Sequence, residues 1–144
     1  MPKFALDTSC IVALLSSWHE HHAATLREFE RRVARREQVL IPLHALLESY
    51  AVLTRLPKPL RASPASVASL LEEWFLRGAD ICVPQEDEIW SLLRSCAARG
   101  RSGGAVYDAT IAWTAHLGGA AELLTWNVSD FASLSPPELE IRTP

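Results

Sequence analysis

The sequence predicts an α/β fold in which a mainly parallel sheet is covered by helices on both faces. Short apolar runs alternate with longer segments whose apolar residues recur at helical spacing, and this order is typical of parallel sheets. A chain of 144 residues with 49% hydrophobic and 22% charged residues has a globular composition. Because that length can bury a core, and no internal repeat is present, we expect a single domain over residues 1–144.

The predicted elements follow one another with recognisable boundaries. Asp7 caps the first helix, Pro64 begins the fourth, and Gly78 and Gly118 stop two others. The predicted strands are 3–6, 38–41, 81–83, 122–125 and 139–141. The predicted helices are 8–16, 22–36, 43–55, 64–77, 86–99 and 106–117, followed by a short turn around Phe131. The loop 56–64 contains three prolines, but the parts on either side are each too short to bury a core alone.

Composition excludes several classes of protein. No run approaches the roughly 20 apolar residues of a membrane span, and the N-terminus lacks the pattern of a signal peptide, so we expect a soluble, cytoplasmic protein. The chain has three cysteines, Cys10, Cys82 and Cys96. Their odd number and wide spacing argue against a disulfide framework and against a structural zinc site. The net charge of −3 offers no global attraction to nucleic acid, so such a partner must bind a local patch.

Three carboxylates interrupt apolar segments. Asp7 follows the first strand, Glu48 stands within HALLESYAVL, and Asp108 stands within AVYDATIAW. An unpaired charge in such surroundings is costly, although each acid alone is also explained as a helix cap, a paired buried acid or an exposed residue. Ligands of alternating α/β folds bind beyond the carboxyl ends of the strands, where Asp7 is expected. The coincidence of all three acids therefore favours a functional site.

A fourth segment, LLTWNVSDF, adds oxygen-bearing side chains after a predicted strand. Thr125, Asn127 and Asp130 would reach the same sheet edge as Asp7. Carboxylates brought close together repel, and a divalent cation removes that conflict. Carboxylate, amide and water ligands suit Mg²⁺ or Mn²⁺. The sequence thus predicts a magnesium-type site.

The ordered motifs LDTS, LLESY, GAVYDATIAW and TWNVSDF resemble those of the PIN-domain nucleases, and within them those of the VapC-type toxins of toxin–antitoxin pairs. The resemblance spans residues 4–131. It implies a compact three-layer α/β/α domain and a metal-dependent endoribonuclease, usually a homodimer, that a cognate antitoxin protein holds inactive. Mg²⁺ is the implied cofactor, and Mn²⁺ can substitute for it.

The resemblance also implies roles for individual residues. Asp7, Glu48 and Asp108 match the acidic triad of the family. The fourth acid matches either the position of Asn127 or that of Asp130, and we favour Asp130 as the metal ligand with Asn127 orienting it or a water. Supporting side chains are Ser9, which matches a hydroxyl position near the metal, and Thr125.

In the implied mechanism, Asp7, Asp108 and Asp130 hold the cation while Glu48 positions or deprotonates the attacking water. Cleavage of RNA would leave a 5′-phosphate and a 3′-hydroxyl. The number of ions, one or two, and the RNA target stay open. The alternative reading is a catalytically silent PIN-like domain or a metal-dependent protein-binding module, such as the D-x-S-x-S type, in which Ile11 would replace the second serine.

Two further segments attract attention. The stretch WHEHHAA lacks the second histidine of H-E-x-x-H, because Ala23 takes its place, so we expect an exposed segment in which His19 has no ligand role. The segment REFERRVARRE contains five arginines and three glutamates. Either it is a solvated helix with ion pairs such as Glu28–Arg32, or its arginines face RNA. Apolar helices near residues 46–55 and 65–76 could supply a dimer or antitoxin surface.

Overall fold

The computed structural model describes residues 1–144 and contains one five-stranded sheet. Its strands are β1 (Lys3–Leu6), β2 (Gln38–Pro42), β3 (Ala79–Cys82), β4 (Glu122–Leu124) and β5 (Glu140–Arg142). The strand order is β3-β2-β1-β4-β5, and every neighbouring pair is parallel. The predicted parallel sheet is therefore confirmed.

Seven helices connect the strands. They are α1 (Thr8–Leu15), α2 (His22–Ala34), α3 (Leu43–Arg55), α4 (Pro64–Phe75), α5 (Glu86–Ala98), α6 (Ala105–Leu117) and α7 (Val128–Phe131). Most helices end one or two residues earlier than the sequence pattern predicts. Strand β3 begins at Ala79 rather than residue 81, because its backbone pairs with β2 from Val39 to Pro42. No helix has the length and apolar character that a bilayer crossing requires.

The central strand β1 shows that helices cover both faces of the sheet. Successive side chains of a strand point to opposite faces, yet Phe4, Ala5 and Leu6 are all fully buried. The main core surrounds them with residues from α1, α3, α4 and α6. The layers are therefore α/β/α, as predicted.

The strand order places a switch point between β1 and β4. The chain builds outward from β1 to β2 and β3, then returns to the other side of β1 with β4 and β5. Leu6 pairs with Leu124 in register, and the Asp7 amide donates to the Leu124 carbonyl at 3.1 Å. The residues after β1 and after β4 therefore lie side by side, where open α/β sheets bind ligands.

A buried ion-pair cluster attaches α2 to β4. Arg32 is 3% exposed and pairs with Glu28, Glu37 and Glu122, while its guanidinium lies 5.2 Å from the ring centroid of Phe4. The predicted Glu28–Arg32 pair is confirmed, with Nε donating to Oε1 at 2.6 Å. Removing Arg32 would leave three carboxylates without their shared cation, so we expect its loss to be strongly destabilising.

Candidate functional site

A cleft of about 240 Å³ opens at the switch point. The four carboxylates predicted from the sequence all line it, although they come from four different segments of the chain. The lining residues are Asp7, Thr8, Ser9, Val12, His19, Glu48, Val52, Asp108, Ile111, Asn127, Asp130 and Phe131. Tertiary structure therefore brings Asp7, Glu48, Asp108 and Asp130 to one place.

Asp7 is buried, with 2% of its surface exposed, and hydrogen bonds compensate for its burial. Its Oδ1 accepts from Ser9 Oγ at 2.7 Å and from the Cys10 amide at 2.9 Å. Its Oδ2 accepts from Thr125 Oγ1 at 2.5 Å. Asp7 thus caps α1 and also faces the cleft, so the two explanations of this residue are compatible.

Two hydroxyl groups connect Asp7 to the loop after β4. Thr125 Oγ1 accepts from the Asn127 amide, and Ser9 Oγ accepts from the Trp126 amide, each at 2.9 Å. Thr125 is fully buried and does not line the cleft. Thr125 therefore fixes the orientation of Asp7 through their hydrogen bond, without itself lining the cleft.

Glu48 reaches the cleft from α3. His44 lies one turn earlier on the same helix, and its Nε2 is 3.6 Å from Glu48 Oε2. The His44 ring stacks on Tyr107, with 4.8 Å between centroids and 4° between planes. The stack joins α3 to α6 beside Asp108, so Glu48 and Asp108 are held next to each other.

Asp108 lies half-buried in the first turn of α6 and forms no hydrogen bond or ion pair. Burial raises the pKa of its carboxyl, and the negative charges of Asp130, Glu48 and Asp7 raise it further. Burial likewise raises the pKa of Asp7, although the hydrogen bonds that its carboxylate accepts act to lower it. No lysine or arginine lines the cleft, so the mutual repulsion of the acids is uncompensated by a protein cation.

The cleft offers ligands for a hard divalent cation but not a closed metal cage. No three His, Cys, Asp or Glu side chains stand close enough together to enclose an ion. Mg²⁺ retains several waters and uses one or two carboxylates, so an open acidic cleft fits it better than a complete set of protein ligands would. The Thr8 hydroxyl on the cleft wall is buried without a partner, which also fits a polar occupant.

The expected exposed segment is confirmed at Trp18 and Glu20, but His19 is half-buried and lines the cleft. The residues between α1 and α2 fold back toward the site, and the His21 amide donates to His19 Nδ1 at 3.0 Å. The neighbouring His21 ring stacks on Trp126 at 3.8 Å. No spacing motif signalled this position, since the approach depends on the path of a loop.

The arginine-rich helix presents a smaller free patch than its sequence indicated. Glu28 accepts from Arg31 Nε at 2.8 Å and from Arg31 Nη2 at 2.6 Å, in addition to its pair with the buried Arg32. Arg27 and Arg35 are exposed and form no ion pair. None of these arginines lines the cleft.

Comparison with known proteins agrees with this architecture. The model of the PIN domain family matches residues 4–133. Ribonuclease VapC40 of Mycobacterium tuberculosis is 38% identical over 130 residues, covering 84% of each chain. Ribonuclease VapC27 of the same species is 40% identical over 114 residues, covering 79% of this chain and 77% of its own.

Solved structures share the fold at low sequence identity. VapBC2 from Rickettsia felis, bound to a DNA fragment from its promoter, superposes with a TM-score of 0.70 at 19% identity, over 99% of this chain and 98% of its own. VapC20 of M. tuberculosis, a toxin that cleaves the sarcin–ricin loop, superposes with a TM-score of 0.69 at 16% identity. The match covers 90% of this chain and 94% of its own. With the family model covering most of the sequence and curated relatives above 30% identity, the chain belongs to the PIN-domain family.

Proposed function

We propose that this protein is a metal-dependent endoribonuclease and the toxin component of a type II toxin–antitoxin pair, acting in the cytoplasm. The observation that carries the proposal is the convergence of Asp7, Glu48, Asp108 and Asp130 in one cleft without a protein cation to neutralise them. The curated relatives that support it are ribonucleases by name. An acidic cleft repels a phosphodiester until a cation is bound, which makes activity depend on the metal.

Asp7, Asp108 and Asp130 are the residues that would hold Mg²⁺, directly or through its water ligands, and Mn²⁺ suits the same oxygen ligands. Such an ion, when bound, supplies positive charge for the developing phosphate charge and favours ionisation of a water. Asp7 retains a free lone pair on Oδ2, because only Thr125 donates to that atom. Asn127, at the end of the loop after β4, and Asp130, in α7, are both exposed, and we assign Asp130 to the cation and Asn127 to its orientation.

Glu48 is the proposed general base. Its half-buried carboxylate faces the cleft, where it would accept a proton from the attacking water as the water oxygen bonds to phosphorus. The bond from phosphorus to the 3′-oxygen breaks in line, and that oxygen takes up a proton. The products are a 5′-phosphate and a 3′-hydroxyl. Ser9 and Thr125 support this chemistry by fixing Asp7.

A cognate antitoxin and a second copy of this chain are the proposed protein partners. Solved relatives of the same fold include VapBC complexes from Rickettsia felis and Salmonella typhimurium. In this chain an apolar groove of about 250 Å³ lies between α3 and α4, and Leu47 and Leu76 are 58% and 70% exposed there. Light scattering of the purified chain, alone and with the co-expressed antitoxin, tests both associations.

The activity is tested with purified wild-type and Asp108→Asn proteins. Each is incubated with total RNA in Mg²⁺ or in EDTA, and new 5′ ends are captured by ligation that requires a 5′-phosphate. We expect discrete cleavage by the wild-type protein in Mg²⁺ only. Equal cleavage by the Asp108→Asn protein would contradict the proposed site, and folded wild-type protein that binds the cation without cutting RNA would favour a binding module instead.

A further inference from the structure

His19 is the only basic side chain that lines the acidic cleft. It lies in the segment between α1 and α2, and its ring is half-buried. The proposed mechanism assigns it no role. Every other titratable group of the cleft wall is a carboxylate: Asp7, Glu48, Asp108 and Asp130.

The hydrogen bond from the His21 amide defines the protonation of the His19 ring. A backbone N–H can only donate, so Nδ1, at 3.0 Å, must be the acceptor and carries no proton. The neutral ring then carries its hydrogen on Nε2. Burial is the main cause that lowers the pKa of His19, and the neighbouring His21 lowers it further. Both are consistent with a neutral ring at neutral pH.

The Nε2–H group forms no hydrogen bond or ion pair within the chain. Because His19 lines the cleft, this group is the donor that its ring has available there. A phosphodiester presents only acceptors, and carboxylates cannot donate to it when ionised. The Ser9 hydroxyl is already committed to Asp7. The side chains left to donate are Thr8, Asn127 and His19, and His19 is held in one orientation by its own hydrogen bond.

We propose that His19 binds the substrate by donating a hydrogen bond from Nε2 to a non-bridging oxygen of the RNA phosphodiester in the cleft. This assignment rests on the proposed ribonuclease function. A neutral donor suits the location, because a lysine or arginine would form ion pairs with the carboxylates and compete with the cation. The imidazole offers a donor to the phosphate while leaving the acids free.

A purely structural role is the competing explanation. His19 could serve only to anchor His21, whose ring stacks on Trp126 with 7° between planes and 3.8 Å between centroids. Two substitutions separate these roles. In His19→Asn, Oδ1 takes the position of Nδ1 and accepts from the His21 amide, but the side chain is too short to present a donor to the cleft. In His19→Gln, the amide nitrogen takes the position of Nε2, but the hydrogen bond from the His21 amide is lost.

The experiment measures KM and kcat on the RNA segment that the wild-type protein cleaves. The affinity of that RNA is measured by fluorescence anisotropy in MgCl₂ in a Glu48→Gln background, which removes the proposed base but keeps the proposed metal ligands. We expect His19→Asn to lose about tenfold or more in kcat/KM and in RNA affinity, the range of a hydrogen bond to a charged group. His19→Gln should stay within about threefold. The control, His116→Asn, changes a partly exposed histidine in the last turn of α6, outside the cleft, and should leave both quantities unchanged.

Two results would overturn the assignment while leaving the ribonuclease proposal intact. In one, His19→Asn matches the wild-type protein in both kcat/KM and RNA affinity. In the other, His19→Gln is the impaired variant, which would identify anchoring of His21 as the role of the ring. Thermal unfolding midpoints confirm that each variant is folded. Absence of any Asp108-dependent cleavage would instead reject the ribonuclease proposal, and the substrate role of His19 with it.

Discussion

Thr125 and Asp7 are 118 positions apart in the sequence, yet Thr125 Oγ1 donates to Asp7 Oδ2 at 2.5 Å. The bond crosses the switch point between β1 and β4. It ties the buried carboxylate of the site to the segment after β4 that contains Asn127 and, in α7, Asp130. The geometry of the cleft therefore depends on a residue that does not line it.

Thr125→Val should impair both stability and activity. Valine keeps the volume of the side chain but leaves Asp7 Oδ2 without its donor, and an unsatisfied buried polar group costs about 1–3 kcal/mol. We expect a loss of that size in the free energy of unfolding, measured in urea, together with reduced RNA cleavage. Thr54→Val is the control, because its hydroxyl bonds a helix carbonyl away from the cleft. Wild-type activity in Thr125→Val would contradict the positioning role.

Asp108→Asn should abolish cleavage while stabilising the metal-free protein at neutral pH. The folded-state pKa of Asp108 is raised by burial and by Asp130, Glu48 and Asp7. For an acid with a raised pKa, the native state binds the proton more tightly, so stability falls as pH rises through the window between the unfolded and folded values. Asparagine removes this penalty. The unfolding midpoint in EDTA should be higher for the variant at pH 7, and the difference should shrink as pH falls toward 4.

Addition of Mg²⁺ should reverse the order of the two unfolding midpoints, so that the wild-type protein unfolds at the higher temperature. A ligand at ten times its dissociation constant stabilises the native state by about 1.4 kcal/mol, and this gain requires an intact site. We expect a rise in the wild-type midpoint and little change for Asp108→Asn. The matched control is Asp87→Asn, an exposed acid in the first turn of α5, which should respond to Mg²⁺ like the wild-type protein. An equal Mg²⁺ response in all three proteins would place the cation elsewhere.

Glu28→Gln should destabilise the fold in a pH-dependent way. Hydrogen bonds from Arg31, and then from Arg32, lower the pKa of Glu28 to about 2. An acid whose pKa is lowered on folding stabilises the native state at pH values above its unfolded pKa, here about 4.5. This stabilisation is lost as the pH falls through the folded pKa of about 2. We expect the variant to lose about 1–2 kcal/mol at pH 7, since solvent screens part of the interaction.

The same unfolding measurement at pH 3 should show a smaller difference between Glu28→Gln and the wild-type protein. Glu30→Gln, an exposed neighbour on α2 without an ion pair, should differ little from wild type at both values of pH. A difference that stays constant from pH 7 to pH 3 would show that the charge of Glu28 is not the cause.

Gly118→Ala should destabilise the protein by overpacking. A Cβ at this position would overlap Leu40 Cδ1 and lie 2.9 Å from Cys82 Sγ. Introducing a methyl group into a packed core costs about 1–3 kcal/mol. Gly104→Ala is the matched control, because a Cβ there meets nothing within 4 Å. Equal unfolding free energies for the two variants would show that the core around Leu40 adapts.

Much of the fold was predictable because its signals are local. The apolar runs and helical spacing identified the five strands and the six longer helices, and glycine and proline marked several of their ends. The misplaced start of β3 has a non-local cause. Residues 79–82 form an edge strand with an irregular burial pattern, so pairing with β2, rather than side-chain alternation, sets its limits.

The sequence by itself determined which residues could carry the chemistry: acids within apolar segments, and polar residues after a strand, are visible because they break a local pattern. Only the tertiary structure decided what surrounds them. The bond of Thr125 to Asp7, the burial of Arg32 against Glu122 and the approach of His19 to the cleft all join residues far apart in the chain or depend on the path of a loop. Such contacts follow from strand order and packing, which no short stretch of sequence encodes.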